Sequence, residues 1–205
     1  MLTAARVISV LLHPLFMPVL VLGMVLKADP HVAFFLPGDQ RYVLLLLVTV
    51  LTVAFPLVSI LLLLRSKVIG SLEMRSRQER IVPFLMVAIY YGMTYFVLRT
   101  THLHPMALSI FTGIIVALVI TIAITIRWKI SIHMVGVGGA IGAVAGASAV
   151  HSLHLLPLIS ILILLAGILG TARLLLGGHV PAQIYAGAFL GWLAGYSCVV
   201  LGVVV

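Results

Sequence analysis

The sequence predicts an all-α fold: a polytopic transmembrane helical bundle of six to seven spans. Three observations carry that prediction. Of the 205 residues, 63% are hydrophobic and only 8% are charged, where a soluble domain carries about 25% charged residues. Several nearly uncharged stretches of roughly 17–25 residues follow one another, each long enough to cross the ~30 Å hydrocarbon layer as a helix. Most connections between them are short, and no low-complexity tract or water-soluble domain interrupts them, so residues 1–205 read as a single transmembrane domain.

The elements follow in order. Residues 5–26 form the first apolar segment. It contains Pro14 and Pro18 after His13, and because each proline removes a backbone donor the segment is expected to bend. More spans follow and no small-residue cleavage site is present, so it reads as part of the bundle rather than a removable signal peptide. Residues 27–41, with two prolines and a glycine, read as a turn-rich loop. The second segment is 42–65. Residues 65–82 then hold five of the twelve Lys and Arg residues. The third segment, 83–99, is short for a span and is a candidate for a tilted or partly re-entrant helix. The remaining segments are 104–126, 131–150, 154–172 and 182–204. Six spans plus one embedded helix is the alternative count.

Two of these segments share a packing signature. Gly138, Gly142 and Gly146 recur every fourth residue, as do Gly187, Gly191 and Gly195. Each set makes a small-residue ridge on one helix face, which lets backbones approach closely.

The single cysteine, Cys198, lies in the last apolar segment, which excludes an intramolecular disulfide and a thiolate metal cluster. The formal net charge is +8. In a chain with so little water-exposed length, an anionic lipid headgroup is the expected partner and nucleic acid is not.

The polar residues are unevenly placed. Arg75, Arg77 and Arg80 precede the third segment; Arg127, Lys129, Ser131 and His133 come two segments later; Arg173 and His179 come two later again. An even number of crossings returns the chain to the same face, so all three groups can meet at one membrane boundary. Guanidinium forks match phosphate oxygens. Imidazoles with near-neutral pKa attack, accept or deliver protons. Ser131 stands at an expected helix start, where free backbone N–H groups favour an anion. Together these groups suggest phosphoryl chemistry. No cluster of carboxylates is available to hold Mg²⁺ or Ca²⁺, so no metal and no cofactor is expected.

The order of an Arg-rich stretch, then "ISIH" (130–133), then "ARLLLGGHVPAQ" (172–183) resembles the three signature motifs of the type 2 phosphatidic acid phosphatase superfamily. That pattern runs K-x6-R-P, P-S-G-H, S-R-x5-H-x3-D. The resemblance covers roughly residues 65–195 and is strongest in the third motif. It implies a related membrane core and a catalytic set of His179, His133 and Gln183. His179 matches the nucleophile that takes the phosphoryl group, and His133 matches the acid that protonates the leaving oxygen. Arg173, Arg80 and Ser131 match phosphate-binding positions, and Lys129 and Arg77 join that set. The implied substrate is a lipid phosphomonoester or diphosphate.

The departures are specific. Glu73 stands where the first motif has lysine, and Arg80 is not directly followed by proline. Isoleucines replace the second motif's proline and glycine, Ala172 replaces serine, and Gln183 replaces aspartate. Glutamine can accept the Nδ1–H of a histidine and orient the ring but brings no negative charge; Glu73 or Glu79 are candidate substitutes for that charge. The sequence therefore leaves open a slow phosphatase, a compensated one, and a non-catalytic protein that binds or transports phospholipid. A purely structural membrane subunit is a third reading.

Other polar residues have plainer readings. Arg75, Arg77 and Arg80 also suit a juxtamembrane patch gripping anionic lipid. His102, His104, His151 and His154 fall on the opposite face by the same count and read as interfacial, with no acidic neighbour to suggest a metal. His13 is a candidate to line the cleft from the first segment. Trp128, Trp192 and the tyrosines read as interface or packing residues.

An integral protein of the bacterial inner (cytoplasmic) membrane is expected. On the face proposed for the site fall Arg6, Arg65, Lys67, Arg75, Arg77, Arg80, Arg127, Lys129 and Arg173, against Lys27, Arg41 and Arg99 on the other. The positive-inside rule favours a cytoplasmic site. The resembled family mostly works on the outer face, and the arginines kept for phosphate weaken the bias, so the side stays open.

Overall fold

The computed structural model describes residues 1–36, 38–71, 78–101 and 103–204. Among them every regular element is helical, and seven helical stretches are long and apolar enough to span a membrane. The chain is an all-α polytopic bundle. Its outer surface carries Leu61, Leu62, Ile89, Phe96, Ile161, Leu164 and Phe189, all exposed. Such a surface is at home in hydrocarbon and would be a liability in water.

The first stretch, Leu2–Ala28, bends where the prolines foretell. Helix α1 (Leu2–Leu11) ends before His13, a 3₁₀ turn occupies Pro14–Phe16, and α2 (Met17–Ala28) follows. The His13 Nδ1 caps the turn by accepting the Leu15 N–H at 3.3 Å. Asp29 then starts the short α3 (Pro30–Phe34), its Oδ1 accepting the N–H groups of His31 and Val32. The loop expected over 27–41 is thus partly helical.

The second stretch joins α4 (Gly38–Thr49) and α5 (Phe55–Arg65) through a π turn at Val50–Ala54. Pro56 lies just after it. The wider turn relieves the clash of a proline ring with the carbonyl four residues back.

The third stretch corrects the sequence reading. Helix α6 runs Gln78–Arg99, 22 residues, with Pro83 inside it. The segment expected over 83–99 continues N-terminally through Pro83, which lies inside the helix and there forgoes a backbone hydrogen bond; the polar residues before it supply the missing turn. The segment is a full-length span. After it come α7 (Pro105–Thr125), α8 (Ile132–Val150), α9 (Leu156–Leu175) and α10 (Pro181–Val200).

The core gathers around α2, α7, α8 and α10, with Leu22, Val25, Leu98, Phe111 and Ala147 sealed from solvent. The two glycine ridges face each other. A Cβ added to Gly191 would overlap the Val135 carbonyl, and one on Gly142 would overlap the Trp192 carbonyl. A Cβ on Gly195 would stand 2.6 Å from the Gly139 oxygen. Helices α8 and α10 therefore meet backbone to backbone, which only glycine permits.

Candidate functional site

The close α8–α10 contact matters because the first turn of each helix carries the site. Ser131 is the N-cap of α8, and its backbone N–H donates to the Gln183 carbonyl of α10 at 3.3 Å. A Cβ on Gly187 would stand 2.7 Å from the Ser131 oxygen. The glycine ridge thus lets the ISIH and GHVPAQ stretches touch.

Gln183 sets the state of His179. Its Oε1 lies 3.0 Å from the His179 Nδ1 and also accepts the Val180 N–H at 3.3 Å. The backbone donor fixes the amide with its oxygen inward, so the His179 Nδ1 must be the donor in the side-chain pair. The neutral ring then carries its lone pair on Nε2. Arg80, Arg173 and Lys129 all act on this ring electrostatically. Burial pushes the His179 imidazole down to about 4; the Gln183 hydrogen bond opposes this, and the three cations reinforce it. No carboxylate among the described residues contributes. The Glu79 carboxylate instead lies against Gly70, 3.2 Å from where a Cβ there would stand, and Glu73 is outside the described residues.

His133, just inside α8, is also buried. Its Nε2 lies 3.2 Å from the Ser9 carbonyl oxygen of α1. A carbonyl only accepts, so Nε2 holds the hydrogen of the neutral ring and Nδ1 is bare. That Nδ1, the Ser131 Oγ and the Ser9 Oγ are buried and find no hydrogen-bond partner among the described residues. Ser131 does not spend its hydroxyl on capping α8. Buried polar atoms left in this condition are a cost of folding unless a ligand meets them.

The cations come from three elements. Arg80 is buried in the first turn of α6. Arg173 lies in the last turn of α9, with Nη2 3.1 Å from where a Cβ on Gly178 would stand. Lys129 precedes α8; burial, with Arg80 and Arg173 nearby, pushes its ammonium below its usual range. The structure therefore brings together Arg80, Lys129, Ser131, His133, Arg173, His179 and Gln183. Arg75 and Arg77 lie outside the described residues.

Sequence reasoning placed His13 at the edge of this cleft and gave Ser9 no part in it. The His13 ring stands edge-on to His133, centroids 5.2 Å apart. Val10, Leu11, Phe16, Val19, Leu20, Thr49 and Val53 line an open, largely apolar cavity of about 350 Å³ between the N-terminal helices and the π turn.

The opposite end holds a polar group that the interfacial reading of its histidines underestimated. His151, at the end of α8, has Nδ1 2.6 Å from Oδ2 of the fully buried Asp29. The rings of His31 and His104 lie 4.8 and 5.3 Å from that of His151. An acidic neighbour is present after all, from the loop across the bundle. Yet the His104 Nδ1 accepts the Met106 N–H at 3.2 Å, and no three ligating side chains among the described residues converge as a metal site. Burial and the His151 ring push His104 below its usual range, against the pull of Asp29.

Fold and geometry thus define a polytopic helical membrane protein with a basic, imidazole-bearing side-chain cluster at one end of the bundle. No protein-family model matches the chain, and no characterised protein or solved structure is significantly similar to it.

Proposed function

We propose that this protein is an integral-membrane lipid phosphate phosphatase, of the kind its motif order resembles, that hydrolyses a lipid phosphomonoester or diphosphate through a phosphohistidine. The observation that carries the reading is the Gln183–His179 pair: a ring held with its Nε2 lone pair available, next to Arg80, Arg173 and Lys129. The cations and the Ser131 Oγ hold the phosphoryl oxygens. The His179 Nε2 attacks phosphorus as the bond to the lipid oxygen breaks, and that oxygen takes a proton delivered through the His133 Nδ1, which is bare in the neutral ring and must first be protonated. Water then attacks the phosphohistidine, His133 takes its proton and returns it to solvent, phosphate leaves, and both histidines are again neutral. The apolar cavity beside α1 suits a hydrocarbon chain. The membrane is the bacterial inner membrane in this reading, and the substrate enters from the bilayer.

Phosphate release from lipid phosphates by the purified protein, with chelator and no added metal, is the test. Turnover by wild type that disappears in His179→Ala is expected. Equal turnover by both proteins would eliminate the nucleophile. Binding without turnover would leave the second reading, a phospholipid-binding or transport protein, which the neutral Gln183 favours.

A further inference from the structure

The segment before α2 lies outside the stretch that resembles the phosphatase motifs, yet it reaches the centre of the pocket. Ser9 and His13 sit one turn apart and both meet His133, from the Ser9 carbonyl at 3.2 Å and the His13 ring at 5.2 Å between centroids. The carbonyl can only accept, so the hydrogen of the neutral His133 ring is committed to Nε2 and the Ser9 carbonyl. The nitrogen left for substrate is Nδ1, which is buried and without a partner among the described residues. A bare nitrogen cannot protonate a leaving group. It must first receive a proton.

Among the described residues no donor is placed on it. His13 accepts the Leu15 N–H at Nδ1, so its Nε2 carries the hydrogen of a neutral ring, which is not an acid, and the charged groups among the described residues that act on His133 and His179 are the cations Arg80, Arg173 and Lys129. A phosphomonoester near neutral pH, by contrast, is a mixture of mono- and dianion, because its second pKa is about 6. The monoanion brings a P–OH.

We propose that Ser9 and His13 are positioning residues of this site, holding His133 with Nδ1 bare, so that the leaving-group proton enters with the substrate as the P–OH of a monoprotonated phosphate. This rests on the phosphatase reading. The proton passes from phosphate to the His133 Nδ1 and then to the lipid oxygen as its bond to phosphorus breaks, so no other acid is consumed. At a pH where the free ligand is a dianion, the site must draw that proton from solvent when it binds.

Net proton uptake on binding therefore separates the possibilities. It is read by titration calorimetry of the intact protein in detergent, with a short-chain alkylphosphonate in buffers of different ionisation enthalpy. Uptake of about one proton per site is expected above the ligand's second pKa, and close to none below it. His133→Asn should abolish the uptake. His13→Asn keeps an acceptor for the Leu15 N–H but removes the ring, and should move the uptake midpoint by at least about half a pH unit. His13→Phe, which keeps a ring at the contact, serves if that variant fails to fold. Binding without uptake at any pH, or uptake that persists in His133→Asn, would overturn the inference and leave the phosphatase reading standing. An unmoved midpoint in the His13 variant would remove His13 from the site. Absence of any phosphonate binding would instead sink the phosphate pocket itself.

Discussion

Replacing Gln183 with glutamate would place a carboxylate on the His179 Nδ1–H with almost no change of shape. The wild-type contact is 3.0 Å and the Val180 N–H is already in place to share the new charge. Unit charges about 4 Å apart at an effective dielectric near 20 interact by about 4 kcal/mol. At 1.36 kcal/mol per unit, that is an upper limit of about three pKa units. The His179 imidazole, held at about 4 in the wild type, should therefore titrate within roughly 5–7 in Gln183→Glu. Because the proposed nucleophile must be neutral, the acid limb of the kcat/KM profile, which reports the free enzyme, should move up by one to three units, on the order of the same estimate. Above the limb, turnover should rise, since a carboxylate would stabilise the phospho-imidazolium of the proposed mechanism, which a glutamine would leave uncompensated. An acid limb that stays near 4 in Gln183→Glu would refute the assignment of Gln183 as the partner of the nucleophile. Gln183→Asp restores the charge with one methylene less. It too should accelerate hydrolysis, by less than glutamate; an unchanged or slower rate would mean another group already does this work.

Further outcomes follow from the same geometry. Ser131→Ala should weaken phosphate affinity by about tenfold, the worth of one hydrogen bond to an anion, with little loss of stability, since the Oγ makes no bond within the described protein; isothermal titration with phosphate against thermal melting would separate the two. Gly191→Ala should lower the melting temperature in detergent by the equivalent of about 1–3 kcal/mol or more, because its Cβ overlaps the Val135 carbonyl, whereas Gly92→Ala has open space and should be neutral or stabilising. Asp29→Ala should destabilise by about 1–3 kcal/mol by removing the hydrogen-bond partner of His151 and the cap of α3, yet leave phosphonate affinity intact in the folded fraction. His179, whose folded value lies below the ordinary 6.5, contributes stability that is complete above 6.5 and lost as pH falls toward 4. The melting temperature of His179→Ala should accordingly fall less than that of wild type over that range.

Much of this was legible in the sequence because crossing parity is a counting argument. It brings residues 80, 129–133 and 173–179 to one boundary whatever the helix tilts are. The Gln183–His179 contact was legible for a similar reason: a side chain four residues on, at a helix start, is within reach by local geometry alone. The glycine ridges announced close packing, although the sequence could not say that α8 and α10 would pack against each other. What escaped were contacts with no periodic or chemical signature. Ser9 acts through a carbonyl, which every residue has. Asp29 and His151 are 122 positions apart, and a lone aspartate in a turn-rich loop looks like a solvated one. The segment expected over 83–99 began too late because Gln78, Glu79 and Arg80 carry no apolar signal, yet the helix includes them and runs on through Pro83.

All of these effects presuppose that the histidines and cations address one phosphoryl group. Vanadate, which mimics phosphorus in transfer, tests this in a structure of the intact protein. Density bonded to the His179 Nε2, with Arg80, Arg173 and the Ser131 Oγ on its oxygens and the His133 Nδ1 on the opposite side, is the expected result. Vanadate bound elsewhere, or His133 and His179 too far apart to flank one ion, would contradict the account.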